Sequence, residues 1–171
     1  MLNYTIRPMA AKDMEGFNAL RRMPGVMENT LGLPSERVER NAEGYQHMGP
    51  DDHIFAAVLE DGTLIGTAGL NVHPNPRMRH GATLGILVHT GYQNQGVGTA
   101  LMKAVLDLAD NWLMLVRVEL EVFADNERAI RLYEKFGFEK EGLMRMSVVR
   151  DGQYQDNYKM ARLRPIGSKG W

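Results

Sequence analysis

The residues best suited to chemistry begin with the run Leu87-Val88-His89-Thr90-Gly91-Tyr92-Gln93-Asn94-Gln95-Gly96-Val97-Gly98-Thr99-Ala100-Leu101. An apolar stretch ends at Val88, a polar loop follows, and an amphipathic helix begins around Gly96-x-Gly98. The first N–H groups of a helix have no partner inside it, and the helix dipole adds partial positive charge there. Glycines let a bulky anion come close to the main chain. Gln93 to Thr99 therefore suits a pyrophosphate. The same spacing also suits a tight start to a helix that binds nothing. Two neighbouring motifs are excluded. A P-loop needs Gly-Lys-Ser/Thr, and a dinucleotide fingerprint needs a third glycine where this chain has Leu101.

A second cluster lies in Val122-Phe123-Ala124-Asp125-Asn126-Glu127-Arg128-Ala129-Ile130-Arg131-Leu132-Tyr133-Glu134-Lys135-Phe136-Gly137-Phe138. Asn126 and Tyr133 stand about two helical turns apart on one face. By residue type alone, Tyr133 is a core aromatic and Asn126 an N-cap. The five histidines, His47, His53, His73, His80 and His89, show no ligand spacing such as HxxxH, so no metal site is expected. The chain contains no cysteine, which removes thiolate nucleophiles, redox pairs, thiolate-bound metals and disulfides. With 20 Lys and Arg against 21 Asp and Glu, the formal charge is -1, and a general nucleic-acid binder is not expected. No leader and no membrane span is read from the apolar runs, and a cytoplasmic location is the default expectation.

The elements that must position these residues follow from periodicity. Tyr4 to Arg7 alternates as a strand, and Asp13 can cap a helix reaching about Met23. Val38, Ala42 and Tyr45 share a stripe on a second helix after Pro34-Ser35. His53–Leu59, Thr63–Val72 and Ala82–Val88 read as three antiparallel strands, the first two joined by a turn at Glu60-Asp61-Gly62. Val97, Leu101, Ala104, Val105, Leu108 and Trp112 recur at helical steps over four turns or more. Val116–Phe123 is a strand. A short helix begins at Asp125-Asn126 and ends at Gly137, and strands over 138–149 and 153–162 meet at Arg150-Asp151-Gly152. The order is β-α-α-β-β-β-α-β-α-β-β. The helical crossover between Val88 and Val116 makes those strands parallel. The fold class is α/β (α+β): a mixed, mainly antiparallel central sheet flanked by helices. At 171 residues the chain is expected to form one domain, 1–165, with a tail over 166–171.

Taken together, Gln93-x-x-Gly96-x-Gly98 and Asn126-x-x-Ala129-x-x-x-Tyr133-x-x-x-Gly137-Phe138 closely resemble the GNAT superfamily of N-acetyltransferases, and the resemblance extends to the order of elements over nearly the whole chain. Asn29-Thr30-Leu31, Asp110-Asn111-Trp112-Leu113, Arg117-Val118-Glu119-Leu120, Gly142 and Met160-Ala161-Arg162 are similar to bacterial members acting on the α-amino group of free amino acids.

The resemblance implies the acyl-CoA N-acyltransferase fold, with acetyl-CoA as co-substrate in a cleft between the strands ending at Val88 and Phe123. Leu87 and Val88 would offer backbone groups to the pantetheine. Gln93, Asn94, Gln95, Gly96, Val97, Gly98 and Thr99 would hold the pyrophosphate, although Val97 and Leu101 also suit the core. Asn126, Ala129 and Tyr133 would complete the site, with Tyr133 as general acid toward the departing thiolate and Asn126 beside it. The general base stays open. The strand Thr83 to Val88 carries no acid where many relatives have Glu, leaving Glu28, Glu119, a water chain or an already neutral amine. Glu28, Asn29, Thr30, Asn71 and Tyr154 would form the acceptor pocket, with Tyr158 near it. Met27, Met144 and Met146 either line that pocket or fill core gaps. The implied reaction is direct acetyl transfer to a small primary amine in a ternary complex. The alternatives are a protein N-terminal or drug acetyltransferase, or a non-catalytic acyl-CoA sensor. Homodimerisation is a further expectation, with no nucleic-acid or membrane partner.

Overall fold

The structure, a computed structural model, describes residues 2–164. The expected tail, 166–171, lies outside the described residues. Contacts divide the chain into two compact units, one containing residues up to Asn71 with Gly85–Leu106, the other containing Val72–Leu84 with the chain from Asp107 onward. The elements are β1 (Tyr4–Pro8), α1 (Met14–Arg21), α2 (Val38–Gln46), β2 (Asp52–Leu59), β3 (Leu64–Val72), β4 (Gly81–Val88), α3 (Val97–Asp107), β5 (Arg117–Phe123), α4 (Glu127–Lys135), β6 (Glu139–Arg150) and β7 (Gln153–Leu163). This is the expected order and the expected mixed, mainly antiparallel α/β class.

In the first unit the strands run in the order β1-β2-β3-β4. β1 and β2 are antiparallel from Tyr4↔Leu59 to Pro8↔Phe55. β2 and β3 are antiparallel from Asp52↔Asn71, with a register slip between Ala57 and Val58. Gly62, at φ +90°, makes their turn, where the Asp61 carboxylate accepts the Thr63 N–H at 2.9 Å. The end of β4 is tied to β3 by His89 N–H donating to the Ile65 carbonyl at 2.9 Å. Leu20, Met14, Ala56, Val58 and Leu64 form a buried cluster against which Phe17, Val38, Ala42 and Tyr45 pack, so α1 and α2 bury their apolar stripes there. At Gly66, a Cβ would sit 2.9 Å from both Leu101 Cδ1 and the Leu87 carbonyl oxygen, so α3 comes as close as it does only because that position is glycine.

Asp13 does not cap α1 through its side chain. Its carboxylate reaches back to the Ala10 N–H at 2.7 Å and accepts two hydrogen bonds from Arg7, at 2.7 and 2.8 Å. A single-turn helix at Ala11–Asp13 precedes α1, which ends at Arg21 rather than Met23.

In the second unit the order is β4-β5-β7-β6. The parallel ladder between β4 and β5 covers Gly81↔Arg117, Ala82↔Val118 and Thr83↔Glu119, as the crossover required. β5 and β7 are antiparallel from Arg117↔Leu163 to Phe123↔Asn157, and β7 continues antiparallel to β6. Val118, Leu120 and Val122 are buried, as their alternation predicted. The hairpin turn has Asp151 and Gly152 both at positive φ, the conformation that matches strand twist in a two-residue loop. β6 is not a plain strand. Its register slips between Met144 and Val148, where Met146 adopts φ +53° and donates its N–H to the Asp156 carboxylate at 2.8 Å.

The long helical stripe also bends from expectation. Beyond α3 the chain widens into a π-helical turn, with Leu113 N–H bonded to the Leu108 carbonyl at 3.0 Å. That wider turn rotates the stripe, so Ala109 is buried and Trp112 is 76% exposed instead of continuing the core face. Among the described residues no helix is long and apolar enough to cross a membrane.

Candidate active site

In the first unit, the loop after β4 is braced by its own side chains. A short turn at Thr90–Tyr92 carries the chain off the strand, with the His89 ring nitrogen accepting the Gly91 N–H at 3.0 Å. The Gln93 side-chain amide donates to the Val88 carbonyl at 3.0 Å, and the Gln95 amide donates to the Gly91 carbonyl at 2.9 Å. Asn94 at φ +59° and Gly96 at φ +85° turn the backbone through left-handed conformations. The Gly96 carbonyl then accepts the Ala100 N–H at 2.9 Å, closing the first turn of α3. Gln95 to Thr99 bring main-chain N–H donors to the start of α3, a set of neutral donors at a helix start suited to a polyanion. Gln93 and Gln95 thus brace the loop, a role their side-chain type alone did not reveal. Val97 and Leu101 are fully enclosed and serve packing. Leu87 and Val88 end β4 and are half-buried.

In the second unit, Asn126 caps α4: its side-chain oxygen accepts the Ala129 N–H at 3.2 Å. The other end closes on Gly137 at φ +86°, with Phe138 N–H donating to the Tyr133 carbonyl at 3.1 Å and Gly137 N–H to the Glu134 carbonyl at 3.0 Å. This Schellman closure holds the Tyr133 main chain. The Tyr133 ring is buried with Ile130, and Phe138 lies 5.9 Å away between centroids. Burial pushes the phenol above its ordinary value, so the hydroxyl stays protonated through neutral and moderately alkaline pH.

Glu119 is heavily engaged. It accepts from Arg117 at 2.7 Å and from Lys159 at 2.8 Å, with the His73 ring 3.8 Å away. Burial opposes its charge, but the Lys159 and Arg117 contacts win and hold the carboxyl below its ordinary value. A carboxylate so committed is a poor proton acceptor near neutral pH. Asp125, beside the cap, is held low by its hydrogen bonds from Arg150, whose guanidinium stacks 4.9 Å over Phe123.

The expected acceptor residues fall in different surroundings. Glu28 accepts the Gly25 N–H at 2.5 Å, Asn29 donates to the Gly25 carbonyl at 3.0 Å, and Thr30 donates to the Met27 carbonyl at 3.4 Å. All three shape their own turn. Asn71 donates to Asp52 at 2.7 Å and borders a cavity of ≈ 310 Å³ in the first unit. Glu28, Asn29 and Thr30 do not line that cavity. In the second unit Tyr154 is exposed on β7, and Met146 is exposed on the β6 bulge. The cavity walls include Met14, Phe17, Leu31, Leu33, Met48 and Ile54, and its polar edge includes Arg40 and Asn41. Sequence reading missed Arg40. The available signal was the helical spacing of Arg40, Asn41, Gly44 and Tyr45, one face of α2 that includes a glycine, with Met48 just beyond the helix end. Among the described residues no cluster of His, Asp and Glu could hold a metal ion.

Comparison with known proteins gives these features a context. The family model described as "Acetyltransferase (GNAT) family" matches residues 21–138. The L-amino acid N-acetyltransferase AaaT of Escherichia coli strain K12 is 35% identical over 164 residues, covering 96% of this chain and 100% of that protein. Spermidine N(1)-acetyltransferase of the same strain is 29% identical, covering 91% of this chain and 83% of that one. Among solved structures, spermidine N-acetyltransferase from Vibrio cholerae in complex with CoA and spermine superposes with a TM-score of 0.83 at 25% identity, covering 94% and 95% of the two chains. Ribosomal-protein-alanine N-acetyltransferase from Brucella melitensis shares the fold with a TM-score of 0.82 at 21% identity, covering 94% and 99%.

Proposed function

The chain belongs to the acetyltransferase (GNAT) family and is an N-acetyltransferase, and from that premise we propose that it transfers the acetyl group of acetyl-CoA directly to the α-amino group of a free amino acid. Acetyl-CoA is the family's co-substrate, and one structural neighbour is a complex with CoA. The observation that carries the acceptor reading is the 35% identity over the full length of a relative named an L-amino acid N-acetyltransferase.

In the proposed reaction the pyrophosphate rests on the N–H groups from Gln95 to Thr99, and Leu87 and Val88 pair with the pantetheine amides. The acceptor must arrive with a lone pair, so its ammonium first gives a proton to solvent. Glu119, held by Arg117 and Lys159, is set aside as the base. The nitrogen attacks the thioester carbonyl, the C–N bond forms, the nitrogen gives up its surplus proton to solvent, and the C–S bond breaks with its electron pair on sulfur. The Tyr133 hydroxyl donates a hydrogen bond to that sulfur and then its proton. A phenol of raised pKa is a weaker acid than a thiol of about 8.5, so the benefit lies in stabilising charge as it develops on sulfur. The phenolate recovers a proton from solvent. Residues 1–165 act as one catalytic domain in this reading.

Thiol release from acetyl-CoA, followed across amino acids, an N-terminal peptide, an aminoglycoside and spermidine, tests the proposal. Stimulation by amino acids above all others is expected. Stimulation by spermidine or by the peptide alone would move the acceptor elsewhere. Tight CoA binding with no turnover by any amine would favour a sensor.

A further inference from the structure

The first-unit cavity has an electrostatic imbalance that packing does not explain. Arg21 and Glu36 at its edge neutralise each other, with Arg21 Nη2 donating to Glu36 Oε2 at 3.1 Å. Asn71 is committed to Asp52, and the Tyr45 hydroxyl donates to the Met9 carbonyl at 3.1 Å. That leaves two donors. The Arg40 guanidinium has no hydrogen-bond or ion-pair partner among the described residues. The Asn41 amide nitrogen is sealed from solvent, and although the amide helps hold the Glu36 carboxyl low, it completes no hydrogen bond. Both residues border an otherwise mainly apolar space of ≈ 310 Å³, at the small end of ligand pockets, which run from about 300 to 1,000 Å³. A buried donor without an acceptor costs free energy, and a guanidinium fork matches a carboxylate bidentately.

We infer that this cavity binds the carboxylate of a small amphipathic acid through Arg40 and Asn41, with the apolar body on Met14, Phe17, Leu31 and Ile54, and that the occupant is the amino-acid acceptor itself. The second clause rests on the amino-acid reading above. Arg40 is then the residue that separates amino acids from amines lacking a carboxylate. Polyamines are disfavoured, because Arg21, Glu36 and Arg40 leave one net positive charge at the edge.

Two variants test the inference without threatening the fold. Arg40 is exposed, so Arg40→Met keeps the stem and removes the charge. Gly44 borders the cavity, its backbone is helical, and a Cβ there would meet nothing within 4 Å, so Gly44→Phe fills the space. The probes are L-phenylalanine, its amide, and 3-phenylpropanoate, which has the carboxylate and ring but no amine. Arg40→Met should raise KM for L-phenylalanine roughly 10- to 100-fold, the worth of a charge-assisted pair, with kcat within about twofold and KM for acetyl-CoA unchanged. The amide should be used equally by both proteins. Calorimetry should show 3-phenylpropanoate binding to the wild type and lost in both variants. If 3-phenylpropanoate binds through Arg40 but no amino acid is acetylated, the carboxylate site stands and the acceptor reading falls. If amino acids are acetylated with KM indifferent to Arg40→Met and Gly44→Phe, the acceptor reading stands and this inference is overturned. An equal loss with L-phenylalanine and its amide would also overturn it.

Discussion

Position 133 combines two requirements that usually compete. The ring must be buried to be held, and the hydroxyl must remain available to a ligand. The structure meets the first through Ile130 and Phe138, and no hydrogen bond ties the hydroxyl to another described residue. Tyr133→Phe keeps the ring and removes only the proton donor. It should lower kcat by about 10²- to 10⁴-fold, the range of a general acid, while the CoA dissociation constant moves by less than about threefold. Steady-state kinetics beside CoA calorimetry checks both numbers, and an unchanged kcat would sink the proposed role. The family motif, not residue type, singled out Tyr133 and Asn126, and the cap of Asn126 was readable from its place before α4. Arg40 was not readable in the same way, because an exposed arginine on a helix is ordinary until the space beside it is known.

Elements account for most of what the chain made legible in advance. Strand alternation in β5 and the three- and four-residue steps of α3 are local signals; β5 formed where expected, and α3 did so as far as Asp107. The misses came from hydrogen bonds between residues that periodicity does not pair. Asp13 was taken from its capping role by Arg7, Met146 was turned left-handed opposite Asp156, and a π-turn moved Trp112 out of the core stripe. Gly66 is a clear case of a contact at element scale with no sequence signal. Its missing Cβ is what lets α3 approach β3. Gly66→Ala gains about 0.4–1 kcal/mol from a stiffer unfolded chain, yet overpacking against Leu101 and the Leu87 carbonyl costs about 1–3 kcal/mol. The net expected result is a loss of roughly 1–2 kcal/mol, read as a lower urea midpoint at unchanged slope. A variant as stable as wild type would mean that α3 shifts freely.

For the molecule as a whole, the response to pH follows from its paired carboxylates. Asp13 is held low by its hydrogen bonds from Arg7, and Asp125 by those from Arg150. In Glu36 and Glu119, burial works against the charge, but Arg21 and the Lys159–Arg117 pair prevail. Each of these groups binds its proton less readily folded than unfolded. Their stabilisation is therefore complete above the unfolded values near 4 and is lost as pH falls through the folded ones. Tyr133 acts in the opposite sense. Its raised pKa means that stability is intact below about 10 and declines above it. The urea midpoint should form a plateau between about pH 5 and 9 with a fall on each side. Asp13→Asn should lower the plateau and soften the acid limb, and an unaltered limb would show that Asp13 is not held low.

The closure of α4 on Gly137 has a consequence for how this activity can change over generations. The Tyr133 carbonyl accepts the Phe138 N–H, and the Phe136 N–H donates to the same oxygen at 2.9 Å. These bonds involve only the main chain, so they survive exchange of Tyr133 for another ring that fills the same buried space. A lineage could lose the phenol in one substitution, keep the scaffold and its donor loop intact, and regain the hydroxyl as easily. In the proposed mechanism, transferase and silent acyl-CoA receptor would thus be neighbouring states of one fold, separated by a single oxygen atom.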